Sequence, residues 1–255
     1  MKENSKSDII ILKKNERNFN LTDTFLFDLD GTLVPIFQDD FGKYYFIKLL
    51  EITDKLGVDA ETIKIAIFGG MQVMVANDGS SSNEDKFWQW FEDKTNVKKE
   101  IAEPIFLDFY KDNFNKIKEY IKITDTAKKI IDYLNKKNYK VILATNPIFP
   151  IQAVETRMNW VGLKKEDFDY ITVFSNSSYC KPNPLYFDEI IKKNNLNPEN
   201  CIMVGNNVIE DTAAEKVGIK TYLITDYLEN EKNLDYSNFE HSSLLEFYEK
   251  IQKEY

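Results

Sequence analysis

Two carboxylates stand two residues apart in the run Phe25-Leu26-Phe27-Asp28-Leu29-Asp30-Gly31-Thr32-Leu33. An apolar, β-rich stretch that ends on acids places them at the carboxyl end of a strand, which is where open α/β sheets bind ligands. Side chains at i and i+2 of an extended chain point the same way, so Asp28 and Asp30 are candidates for covalent and acid–base chemistry at one spot. Gly31 then lets the backbone turn close to that spot. A capping or turn role for the two acids is the plainer alternative, but it gives no reason for Phe-Leu-Phe to run directly into Asp-Leu-Asp-Gly-Thr.

A strand end can present such a pair only if a sheet surrounds it. Five β-rich runs are suited to that: Thr24–Asp28, Lys140–Thr145, Tyr170–Ser175, Cys201–Gly205 and Lys220–Thr225. Most are apolar throughout, as expected of strands buried on both faces of a parallel sheet. Helical patterns alternate with them. One is capped by Thr124 and runs to about Asn138, with Ala127, Ile130, Ile131 and Leu134 on one face. Two more cover Pro150–Trp160 and Pro184–Asn194, and a fourth runs from about Glu210 to Val217 and stops at Gly218. This alternation predicts a doubly wound α/β, Rossmann-like core with a parallel sheet. Residues 35–120 break the rhythm with helical patterns only: Tyr44–Leu56, Asp59–Val75, Asn83–Lys94 and Lys98–Lys116. The predicted organisation is an N-terminal extension (1–20), the core (21–34 and 121–255) and an inserted all-helical cap (35–120).

Composition narrows the function classes. The chain has 255 residues, a formal net charge of −9, 43% hydrophobic residues and 14% aromatic ones. That is ample core material, and the charge disfavours binding to nucleic acid or to an anionic membrane surface. No apolar run approaches the roughly 18 residues of a membrane span. The start of the chain lacks the pattern of a signal peptide. Cys180 and Cys201 read as reduced packing or loop residues, and a cytoplasmic location is expected. The single His241 lies far from the acidic motifs and reads as a surface residue, which argues against histidine-based chemistry.

Asp28-Leu29-Asp30-Gly31-Thr32-Leu33 resembles the first motif of the haloacid dehalogenase-like hydrolases, and three further motifs follow in the same order. Val141-Ile142-Leu143-Ala144-Thr145-Asn146 is similar to the second, an apolar strand ending in Thr or Ser. Cys180-Lys181-Pro182 looks like the third, a lysine before the fourth strand. Met203-Val204-Gly205-Asn206-Asn207-Val208-Ile209-Glu210-Asp211 is similar to the fourth, and the resemblance covers about residues 22–226. It implies a Mg²⁺-dependent phosphomonoester hydrolase acting on a small phosphorylated metabolite. Asp28 would form the aspartyl-phosphate and Asp30 would serve as acid and base. Thr145, Asn146 and Lys181 would hold the phosphate. An Asp at position 30 favours phosphoester hydrolysis over the dehalogenase and P-type ATPase branches, which lack it.

Two carboxylates and a phosphate dianion do not share a pocket unaided. Each like-charge pair at about 4 Å costs on the order of 4 kcal/mol at an effective dielectric of about 20. Oxygen-only ligands favour Mg²⁺ as the neutralising ion. The resemblance implies Asp28, the backbone carbonyl of Asp30 and a fourth-motif acid as its ligands. Here the sequence departs from the pattern, because Asn206 stands where the family has Asp. Metal affinity is therefore expected to be weaker, with Asp211 or Glu210 partly compensating. The rival readings are a phosphomutase on the same fold and a non-catalytic binding protein with a degenerate metal site. The implied cap would read the leaving group, and its aromatic Phe87-Trp88-Gln89-Trp90-Phe91 segment is expected to pack the cap's own core, with a ring or two facing the substrate as the alternative. Substrate identity and oligomeric state are left open by the sequence.

Overall fold

The structure, a computed structural model, describes residues 22–255; the extension expected at residues 1–20 lies outside the described residues. The chain begins with β1 (Thr24–Phe27) and passes at once into helices: α1 (Gln38–Leu49), α2 (Thr53–Leu56), α3 (Ala60–Val75), α4 (Asn83–Thr95), α5 (Lys99–Lys111) and a 3₁₀ stretch at Phe114–Tyr120. Strand–helix alternation then follows through α6 (Thr126–Lys136), β2 (Lys140–Leu143), α7 (Ile151–Trp160), β3 (Tyr170–Ile171), α8 (Pro184–Asn194), β4 (Cys201–Gly205) and β5 (Lys220–Ile224). The order closes with β6 (Glu240–Ser242) and α9 (Leu244–Glu254).

The six strands form one sheet in the order β3-β2-β1-β4-β5-β6, and every pairing in it is parallel. The strands alternate between two apolar layers. Phe25, Phe27, Val141, Leu143, Ile202 and Val204 point into one, with Ile130 and Leu134 of α6 and Phe247 and Ile251 of α9. Leu26, Ile142 and Met203 point into the other, with Tyr186, Phe187 and Ile190 of α8. Helices on both faces make the core doubly wound, as the alternation implies. The chain leaves β1 toward β2 and β3 and later returns to β4 on its other side. That reversal opens a crevice at the carboxyl ends of β1 and β4.

Several details differ from the sequence reading, among them the strand expected over Tyr170–Ser175, which is only Tyr170–Ile171 and is followed by a 3₁₀ turn at Phe174–Asn176. Strand β6 is additional; it is short, carries His241, and has too little apolar signal to be read alone. The helix expected from Thr124 begins at Thr126 behind an Asp125 N-cap that makes no side-chain capping bond. The helix expected from Glu210 is instead a 3₁₀ turn at Thr212–Val217. It starts late because the Asn207 side-chain oxygen takes the Ile209 and Glu210 amides at 2.9 Å each, folding 207–210 into a turn. The first inserted helix begins at Gln38, ahead of the expected Tyr44.

The inserted helices are set by ordinary end signals. Asp59 caps α3 by accepting the Thr62 amide, and Ser82 with Asp85 forms a capping box on α4. Phe87, Trp88 and Phe91 turn inward; Trp88 meets both phenylalanines edge-to-face, Phe87 stacks on Phe91, and Trp88 and Phe91 meet Phe106 of α5 edge-to-face. Gly69 and Gly70 allow α3 to meet the rings of α4 directly: a Cβ at Gly69 would lie 2.3 Å from the Trp90 ring. Replacing Gly69 by Val should therefore force α3 and α4 apart and cost about 1–3 kcal/mol of stability; urea unfolding measures it.

Candidate active site

Backbone hydrogen bonds bring the ends of three strands together. The Asp28 amide donates to the Val204 carbonyl (2.9 Å) and the Ala144 amide to the Phe27 carbonyl (2.7 Å). Asp28, Thr145 and Asn206 therefore emerge side by side at the crevice. Gly31 carries the following turn at φ +83°, and a Cβ there would lie 2.1 Å from Asn206 Nδ2. The turn and the side chain beside it thus both require glycine.

Lys181 reaches into this crevice from the loop before α8. It is 1% exposed, and its Nζ donates to Asp28 Oδ1 and to Asp211 Oδ1, both at 2.7 Å. Burial works against the ammonium, but Asp211 and Asp28 outweigh it and hold the lysine charged. Burial pushes the Asp28 carboxyl up to about 7 even though Lys181 pulls the other way. Asp211 is fully buried, and its second oxygen accepts the Asn207 amide at 2.9 Å. Both of its oxygens are therefore engaged within the protein.

Asp30 has a partner that sequence reading missed. Arg157 of α7 donates to Asp30 Oδ2 through Nη1 and to the Ala153 carbonyl through Nε at 3.2 Å. Its guanidinium lies against a pair of rings that meet edge-to-face, 5.2 Å from the centre of Phe41 on α1 and 4.7 Å from that of Phe149. Meeting rings and a carboxylate at once suits a flat cation with donors on its edge, a combination lysine lacks. Burial raises the Asp30 carboxyl while Arg157 opposes that rise. The chain's 33 Lys and Arg residues include only two arginines, Arg17 and Arg157. That rarity was the one signal available in the sequence.

Asn146 follows Thr145 into the same cavity and donates to Glu210 at 3.3 Å; its Oδ1 is buried and unpartnered. Burial lifts Glu210 to about 7. Glu229, also unforeseen, comes from the loop after β5. It accepts the Asn207 side-chain amide (3.1 Å) and the Gln38 backbone amide (2.9 Å), which ties α1 to the crevice. A second tie is Asn83 at the start of α4. Its amide nitrogen contacts the Pro147 carbonyl (3.1 Å) and Cys180 Sγ (3.3 Å), on the loops that carry Asn146 and Lys181. All these acids and Arg157 line a cavity of about 230 Å³ between the sheet and the inserted helices.

The donor set suits a hard cation. Asp28, Asp30, Glu210, Asp211 and Glu229 line the cavity, while Lys181 and Arg157 supply the positive charges at Asp28 and Asp30. Five acids against two bases leave an excess of three negative charges, to be met by bound protons or by a cation. Asn206 donates through Nδ2 to the Tyr227 carbonyl at 2.7 Å, which turns its Oδ1 toward Asp28. The Thr32 hydroxyl lies 3.1 Å from that oxygen and 3.4 Å from Asp28 Oδ2, so the two oxygens converge. Among the described residues, no three acidic, His or Cys side chains converge enough to hold a metal by themselves. A cation at Asp28 would rely on the Asn206 amide oxygen and on backbone carbonyls.

An open parallel α/β sheet, with an acid pair and a buried lysine at its switch point, defines the class. The family model for haloacid dehalogenase-like hydrolases matches residues 22–218, and the chain belongs to that family. No curated protein matches it. Solved structures share the fold. β-Phosphoglucomutase from Clostridium difficile superposes with a TM-score of 0.52 at 19% identity, covering 91% of this chain and 96% of that one. A haloacid dehalogenase-like phosphatase from Thermococcus onnurineus gives 0.56 at 16% identity, covering 90% and 98%. The 2-haloacid dehalogenase from Pseudomonas syringae pv. Tomato gives 0.58 at 16% identity, covering 91% and 99%.

Two outcomes follow from these charges. Lys181→Met would leave Asp28 and Asp211 facing each other without a cation, and should cost about 3–5 kcal/mol in urea unfolding at neutral pH. Glu210 is an acid whose folded pKa lies above its unfolded value, so its contribution to stability is present at low pH and lost as pH rises toward 7. Glu210→Gln should accordingly raise the melting temperature by about 3 °C or more at pH 8 in EDTA, and change it little at pH 4.

Proposed function

We infer that the chain hydrolyses phosphate monoesters through a phosphorylated Asp28. The observation that carries this reading is Lys181, buried and bonded to Asp28 at the sheet's switch point. It is a fixed positive charge beside a carboxylate, where a phosphate dianion would otherwise be repelled. An Asp28 oxygen attacks phosphorus, the bond from phosphorus to the ester oxygen breaks, and Asp30 gives its proton to the departing alkoxide. Water then attacks the phosphorus of the aspartyl-phosphate and surrenders a proton to Asp30, which releases inorganic phosphate and restores Asp28. Lys181, Thr145 and Asn146 hold the phosphoryl oxygens. Arg157 keeps the Asp30 carboxyl in place throughout.

Mg²⁺, when bound, supplies the charge neutralisation that lets the dianion approach, and Asp28 Oδ2, Asn206 Oδ1 and the Asp30 carbonyl would hold it. Asp211 serves Lys181 in this reading, accepting from its ammonium on one oxygen and from the Asn207 amide on the other. A phosphomutase would share the first half-reaction and pass the phosphoryl group to a second alcohol. The inserted helices offer few polar groups to hold such an acceptor, which favours water. The cysteines are free and buried, in keeping with a reducing compartment. No helix among the described residues is long and apolar enough to cross a membrane.

The test is turnover of acetyl phosphate and 4-nitrophenyl phosphate with and without Mg²⁺. Asp28→Asn should lower kcat/KM by at least about 10⁴-fold, and Asp30→Asn by about 10²–10⁴-fold. An Asp28→Asn protein that stays folded and keeps its activity would overturn the reading.

A further inference from the structure

The cavity over Asp28 is polar at its floor and apolar at its roof. Its floor is made by the acids, Thr145, Asn146 and Asn206; the inserted helices add Phe41, Tyr45, Phe46, Phe68 and Met71, with Gln38 as the polar exception. A second chamber of about 210 Å³ adjoins it and shares Tyr45, Met71, Ile148 and Phe149 with it. The far wall of that chamber includes Phe87, Trp88 and Phe106. Most of the polar groups nearby are already engaged. The Tyr45 and Tyr110 hydroxyls face each other at 3.4 Å, and Glu84 and Glu103 lie 2.7 and 3.8 Å from Lys99. In the second chamber the fully buried exception is Trp88, which is 6% exposed and whose Nε1 has no partner; Gln152 and Ser175 line the same chamber with unbonded side chains.

We propose that the two chambers together take an aromatic leaving group, so that the substrate is the phosphate monoester of an arylalkyl alcohol carrying one hydrogen-bond acceptor for Trp88 Nε1. This rests on the phosphatase reading above. A polyol placed here would bury several hydroxyls against rings that cannot satisfy them, and each one left unpaired opposes binding. A flat ring meets the opposite situation. Aromatic walls favour edge-to-face contacts with it, and apolar cavities smaller than this one accept a benzene ring. Among the described residues Trp88 Nε1 is the fully buried donor of the adjoining chamber that is left unpaired, so an acceptor on the ligand matches it.

The test uses the full chain. kcat/KM is compared for 2-phenylethyl phosphate, 2-(4-methoxyphenyl)ethyl phosphate, glucose 6-phosphate and glycerol 3-phosphate, with acetyl phosphate as a substrate that brings no leaving group for the chambers to hold. The arylalkyl esters should exceed the polyol esters by on the order of 10²-fold, and 2-phenylethanol should inhibit competitively where glycerol does not. Leu107→Trp, which places a large ring in the second chamber, should bring the aryl-to-polyol ratio near one. Trp88→Phe removes the donor and adds no bulk. It should reduce the advantage of the methoxy ester over the unsubstituted one, and it reads the same chamber if the Leu107 variant does not fold. Polyol esters that match or beat the aryl esters, or a ratio that neither variant moves, would overturn the substrate class. Acetyl phosphate turnover that needs Asp28 would leave the phosphatase reading standing in that case. Absence of turnover on every ester and on acetyl phosphate would overturn both.

Discussion

Lys181 lies where three demands meet. It is buried at the end of a sheet and bonded to two carboxylates that could not otherwise face each other. Its charge is retained because Asp211 and Asp28 outweigh the desolvation that would remove it. Asp211 in turn is fixed by the Asn207 amide, and a Cβ at Gly205 would collide with its carboxylate at 2.1 Å. The end of β4, the turn after it and the loop before α8 are thus held by one charge cluster. Asp28 inherits its orientation from that cluster as much as from its own strand. The strand alone would leave the carboxylate free to choose a rotamer; the ammonium chooses it.

A second, smaller cluster governs Asp30. Arg157 holds it from α7, and the arginine rests against a ring of α1 and a ring of the loop after β2. The core and the inserted helices therefore share a contact whose other end is a carboxylate of the site. Any change in how α1 sits on the core is felt first by Phe41, next by the guanidinium and then by Asp30.

Much of the core was legible because its signals are local. Apolar runs that end in acids, Pro at helix starts and Gly218 at a helix end each act within a few residues. So do the positions of Asp28, Asp30, Thr145, Asn146, Asn206 and Asp211 at or near strand ends, which line one cavity, while Lys181 reaches Asp28 and Asp211 from the loop before α8. The illegible parts depend on contacts between distant segments. Arg157 looks like any helical basic residue until Asp30, 127 positions earlier, is folded against it. Glu229 belongs to a loop whose place is set by its backbone pairing with Asn206 and Val208. Asn83 reads as an ordinary first-turn residue of α4. Strand β6 has exposed residues at two of its three positions, so no apolar pattern announces it.

The Asn83 contacts have a meaning of their own. A buried amide that touches both the loop after β2 and the loop before α8 acts as a spacer of fixed length between α4 and the floor of the cavity. At that edge the roof cannot rise without stranding a polar group away from water. The headroom above Asp28 is therefore a property of the folded architecture, set by a side chain that touches no substrate. A taller ligand would have to find its room sideways, along the rings.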